Sequence, residues 1–118
     1  MIFLNNCSYK NAQDVYPSCV TSNMSYQNDI VPIFTANNCY SCHSNATASA
    51  GGGSKNVMVY YWQVERFVND SNGDILYGMI ADTSTTDANH MPQGPYPLLS
   101  SCEVSKVHAW IQQGAKNN

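Results

Sequence analysis

Residues 39–43 read CYSCH, two cysteines and a histidine within five positions of a 118-residue chain that has five cysteines and three histidines in all. Three kinds of chemistry use thiols at this spacing. A redox dithiol of the thioredoxin kind needs C-x-x-C at a helix N-terminus after a strand, where the helix dipole lowers a thiol pKa. Here the motif follows a helical pattern, and nothing like a βαβ unit surrounds it. A structural zinc site needs four ligands, normally a second C-x-x-C or a spaced histidine pair. The remaining Cys7, Cys19, Cys102, His90 and His108 are single and scattered.

The third chemistry, covalent attachment of a c-type haem, is the one that the full C-x-x-C-H pattern fits. Two thiols add to the two vinyl groups on one edge of the porphyrin, and a two-residue spacer lets one tight turn span that edge. Cys39 and Cys42 are the attachment pair, and His43 is thereby delivered to the iron as its proximal ligand. One covalent haem c with its iron is the cofactor expected.

The rest of the chain agrees with a core built around something other than side chains. The length predicts a single domain of modest core. Charged residues are only 11% of the chain and its net charge is -3, with Lys10, Lys55, Arg66, Lys106 and Lys116 scattered. That pattern argues against nucleic-acid binding. No apolar run approaches the ~20 residues that cross a bilayer.

Residues 1–24 are rich in Asn and Ser and show no sustained periodicity, so they form an N-terminal arm or tether to a haem domain over 25–118. The opening MIFLNNC is too short for a complete signal peptide. It reads either as the remnant of one, with Cys7 at a lipoprotein acylation point, or as an ordinary start. A first helix is expected at about 29–39, with Asp29 as N-cap, Pro32 in the first turn, and Ile30, Ile33 and Phe34 on one face. Residues 44–56 are a loop by composition. The stretch 57–68, VMVYYWQVERFV, has strand-like content but no partner strand, so strand and helix both stand open. A short helix is predicted over 73–82, and the proline-bearing 83–99 is irregular. Ser100 and Glu103 form a capping box before Val104, Val107, His108 and Ile111 at helical spacing, and Gly114 closes that helix. The total is an all-α protein of three to four short helices joined by long loops around one haem.

A six-coordinate electron carrier needs a second axial ligand. Met91 stands directly before Pro92 in a loop that cannot become a helix, so a stiff extended segment can hold its thioether with little entropy to lose. His90 is adjacent and, by alternation in an extended chain, should face the other way. His108 reads as a packing residue of the last helix, and Met58 and Met79 as core residues lining the haem. A thioether favours ferrous iron, and filling both axial positions suits one-electron exchange rather than catalysis. The chain is therefore read as no enzyme. The alternative is a haem sensor or peroxidase-like protein in which the distal ligand leaves the iron.

As a set, CYSCH after a first helix, HMPQG late, and a final helix containing AWIQQGA resemble the class I c-type cytochromes. The chain is most similar to small monohaem cytochromes of Bacteroidetes-type bacteria, often lipoproteins, through Cys7, Cys19, SYQNDIVPIF, LLSSCEVSKVHAWI and GAKNN. His90 departs from the small residue usual before Met-Pro there, which keeps open a His-ligated or pH-dependent alternative to Met91. The resemblance implies a cytochrome c fold in which the first and last helices cross, with Ile33 or Phe34 against Trp110 or Val107. It implies that the Met91 loop covers the distal face, and that Tyr60, Tyr61 or Trp62 reach the haem propionates with Arg66 as counter-ion. Against this stands ordinary packing for each of those four residues.

Haem attachment leaves Cys7, Cys19 and Cys102, an odd number whose pairing spacing cannot choose. The helix crossing implied by the resemblance points to a Cys19–Cys102 disulfide, with Cys7–Cys19 as runner-up, and frees Cys7 for a lipid. The expectation is a periplasmic or otherwise extracytoplasmic carrier, monomeric and membrane-tethered through Cys7. Its partners are redox proteins, a reductase and a terminal oxidase or other acceptor.

Overall fold

Ser25 begins the first helix, four residues earlier than Asp29 would have. In the computed structural model, which describes residues 18–44, 56–68, 75–83 and 90–118, the Ser25 hydroxyl accepts the Asn28 N–H at 3.1 Å. The Asp29 carboxylate answers by accepting the Ser25 N–H at 2.8 Å. Asp29 thus serves the cap from inside the helix instead of being the cap. The element opens as a π-helical turn, Tyr26–Ile30, and runs on as an α-helix, Val31–Ala36; together these are α1. Pro32 sits in the first turn of the α-helical part, where its missing N–H is harmless.

Four further helices follow among the described residues: α2, Tyr40–His43; α3, Tyr61–Glu65; α4, Ile75–Ala81; and α5, Ser101–Gln112. The described residues contain no strand, so the ambiguous 57–68 resolves as helix α3 with extended residues before it and a turn after it. The count is five instead of three or four because CYSCH itself coils into a helical turn. The α5 capping box forms as its sequence requires. The Ser100 hydroxyl accepts the Glu103 N–H at 3.2 Å, and a Glu103 carboxylate oxygen accepts the Ser100 N–H at 2.8 Å. Gly114, at φ +102°, ends the helix.

Ile30, Ile33 and Phe34 of α1, Val64 of α3, Leu76 and Ile80 of α4, and Val107 and Trp110 of α5 form one buried cluster. α5 packs on the opening turn of α1 and on α4. The aromatic partner of Trp110 is Tyr26, whose ring centroid lies 5.5 Å away, and Tyr26 in turn meets Tyr61 edge-on at 5.2 Å. His108 stacks flat on Tyr77 at 4.0 Å, joining α5 to α4 as a packing residue.

The tail after α5 closes the bundle. Asn118 accepts the Tyr26 N–H through its side-chain oxygen at 3.0 Å and the Gln27 N–H through its carbonyl at 2.9 Å. Those are first-turn donors that a helix cannot satisfy by itself. Residues 18–24, which the sequence assigns to an N-terminal arm, are tied to α5 at both of its ends. The Met24 N–H donates to Gln113 at 2.8 Å, the Gln113 amide donates to the Thr21 carbonyl at 2.7 Å, and Cys19 is disulfide-bonded to Cys102. The rest of the arm, Cys7 included, lies outside the described residues.

This packing makes two stability predictions. The Tyr26 hydroxyl is buried with no hydrogen-bonding partner among the described residues, and burial comes first among the causes that push its pKa up to about 12. Tyr26→Phe removes an unpaired polar atom while keeping the ring, so thermal denaturation should show an equal or higher Tm. The Cys19–Cys102 bridge joins residues 83 positions apart. Its removal by the double change to serine should cost up to about 4 kcal/mol in the chain-entropy picture, read by denaturant titration.

Candidate functional site

The short helix α2 is the site's foundation. α1 ends at Asn37, and the chain turns through Asn38 at φ +58°. Asparagine tolerates that left-handed conformation better than other side-chain-bearing residues. The Cys39 N–H donates back to the Phe34 carbonyl at 3.0 Å, and the His43 N–H to the Cys39 carbonyl at 2.9 Å. One helical turn therefore carries both thiols and the imidazole, anchored to α1.

His43 is held on its far side. Its Nδ1 lies 2.5 Å from the Asn56 carbonyl oxygen. A carbonyl can only accept, so Nδ1 carries the proton and Nε2 keeps the lone pair that a metal would take. The Met58 N–H also donates to the His43 carbonyl, at 2.8 Å. Sequence reasoning missed Asn56. Its contribution is a backbone oxygen, which no side-chain pattern announces.

These residues border a two-lobed apolar cavity. One lobe, about 400 Å³, is walled by residues including Phe34, Met58, Phe67, Leu76 and Met79, with Arg66 also on its lining. The other, about 410 Å³, has Cys42, Asn37, Pro92, Gln93 and Tyr96 on its lining. Cys39, His43, Ile80, Met91 and Leu99 belong to both. Volumes of this order are those of sites that enclose a substantial ligand. A donor set of two thiols, one imidazole nitrogen and one thioether around an apolar space is chemically suited to a flat apolar macrocycle with a soft-ligated metal. The residues fit a covalent haem.

Met91 is brought into both lobes, with its N–H donated to the Met79 carbonyl at 2.9 Å, so the loop is tied to α4. His90 is buried at 8% exposure and lines neither lobe, at a bend of the chain over 90–92 where an extended segment was expected. Met58 is in the wall. Tyr61 is not. Its hydroxyl donates to the Ala115 carbonyl at 2.7 Å, which places it against the tail. Tyr60 and Trp62 stack on one another at the surface, both more than half exposed. Of the aromatic run and its neighbour, Arg66 alone reaches the cavity lining.

Electrostatics count against a dithiol redox centre. Burial pushes the Cys39 thiol up to about 11, opposed by its own backbone N–H and aided by the Glu103 charge. A nucleophilic C-x-x-C thiol needs the opposite shift. Among the described residues no group of three His, Cys, Asp or Glu side chains could hold a bare metal ion.

Because the Tyr61 hydroxyl is spent on Ala115, Tyr61→Phe should lower stability by about 1 kcal/mol. It should leave the visible spectrum of the haem-loaded protein unchanged. Both are read from a thermal melt followed in the visible region.

Compared with known proteins, the chain matches a family model described as Cytochrome c over residues 31–115. No curated protein and no solved structure matches it.

Proposed function

The chain belongs to the cytochrome c family, whose members bind a covalent c-type haem, and on that premise we propose that it is a periplasmic one-electron carrier with His43 and Met91 as axial ligands. The observation that carries the reading is the meeting of Cys39, His43 and Met91 on one apolar cavity. When bound, the haem supplies an iron that cycles between ferric and ferrous states. The protein's own residues do the rest. Cys39 and Cys42 hold the ring edge. His43, its Nδ1 proton engaged by Asn56, offers Nε2 as a fixed donor. Met91, tied to α4 through Met79, offers the soft thioether that favours the reduced state. Phe34, Leu76, Ile80 and Leu99 would surround the group with apolar side chains.

Filling both axial positions with protein leaves little to rearrange between oxidation states, which suits electron exchange. Family members are mainly carriers, and cytochrome c domains generally work outside the cytoplasm. The Cys19–Cys102 bridge suits an oxidising compartment. No helix of the described residues is long and apolar enough to cross a membrane. With two cysteines for the haem and two in the bridge, Cys7 is left over as the lipid attachment that tethers a monomeric domain, and an intact-mass spectrum of protein from a haem-ligating host reports it.

Two spectroscopic outcomes test the ligation. Met91→Ala should abolish the weak far-red sulfur-to-iron band of the ferric protein, and survival of the band would move the ligand elsewhere. The ferrous wild type should be inert to carbon monoxide at neutral pH. Rapid binding would instead favour the sensor or peroxidase-like alternative.

A further inference from the structure

Three constraints meet where α1 hands over to the haem-attachment turn. Asn37, two residues before Cys39, donates its side-chain amide to the Ile33 carbonyl at 2.9 Å and to a Glu103 carboxylate oxygen at 3.0 Å. The other Glu103 oxygen is engaged by the Ser100 N–H and the Ser100 hydroxyl, at 2.8 and 2.9 Å. The preceding residue, Cys102, is fixed by the disulfide. Asn37 also lines the lobe that contains Cys42. A carboxylate is therefore clamped one amide away from the cavity wall, in a chain where charge is scarce.

We propose that Glu103 is a positioning residue that lowers the reduction potential of this cytochrome, its fixed negative charge acting through Asn37 and the Cys39 turn. The inference rests on the haem-carrier reading above. A negative charge beside the cavity stabilises the more positive, oxidised state, and the clasp prevents the charge from swinging into solvent, where water would screen it. Burial works to raise the Glu103 pKa. The Ser100 backbone, Asn37, the Ser100 hydroxyl and Lys106 outweigh it, so the group sits below its ordinary 4.5 and is ionised at neutral pH. The charged groups that share its groove between α1 and α5 are Asp29 and Lys106. On reduction the electron comes from the redox partner. A proton from solvent joins Glu103 only in the acid range where that carboxylate titrates.

The test uses the haem-loaded full chain, with midpoint potentials followed by spectroelectrochemistry from neutral pH downward. In wild type the potential should rise as pH falls below 4.5 and Glu103 takes up its proton. Glu103→Gln at pH 7 should move the ferric/ferrous equilibrium roughly threefold to tenfold toward ferrous and remove that part of the acid rise. Glu103→Asp, keeping the charge, should restore most of the wild-type value. Asn37→Ala should shift the rise to higher pH, because one donor to the carboxylate is lost. A Glu103→Gln protein with wild-type potential, whatever its melting temperature, would make the residue purely structural and overturn the proposal. If that variant does not fold, a wild-type potential independent of pH down to acid unfolding overturns it equally. A wild-type chain that takes up no haem would instead overturn the carrier reading itself.

Discussion

One helical turn, Tyr40–His43, governs the rest. With its N-cap Cys39 it carries two thiols and an imidazole to the cavity lining, and it is anchored to Phe34 of α1 behind and to Asn56 and Met58 ahead. The other described elements either support that turn or face it across an apolar space that the helices themselves do not fill. Among the described residues α5 packs on α1 and α4, and the attachment turn meets the other helices across that space, which a bound group would fill. A haem extends the core by joining its walls.

Legibility in the sequence depends on the kind of atom concerned. Side chains with fixed chemistry can be read directly: the CYSCH spacing, the Ser100–Glu103 box, and Met91 before a proline. His90 lines neither lobe, although the chain at 90–92 bends instead of running extended, so the alternation rule is not what places it. What escapes is carried by backbone atoms or by distant partners. Asn56 contributes a carbonyl. Asn118 satisfies first-turn donors more than ninety positions earlier, a contribution that the neighbourhood of α1 cannot show, although its start at Ser25 is marked locally by Ser25 and Asp29. Tyr61 suits a cofactor by its residue type, whereas its hydroxyl is taken by the chain's tail. The Cys19–Cys102 pairing is implied by family resemblance, through the helix crossing, and the structure contains it.

The scarcity of charge gives the few ionic groups unusual weight. Glu103 unites a helix cap, an interhelical clasp and a fixed charge near the cavity. On the lining of the second lobe Asn37, Asn38, Gln93 and Tyr96 are all uncharged, which leaves the Glu103 carboxylate behind Asn37 as the charge nearest that wall.

The way the tail folds back also has a topological meaning. Residues 21–27 lie beside residues 113–118, linked by Thr21, Met24, Tyr26 and Gln27 to Gln113 and Asn118. The segment leading into α1 and the segment leaving α5 are thus held to one another as a clasp. Neither segment can fray without stripping hydrogen-bond partners from the other, so the two ends of the helical core open and close together.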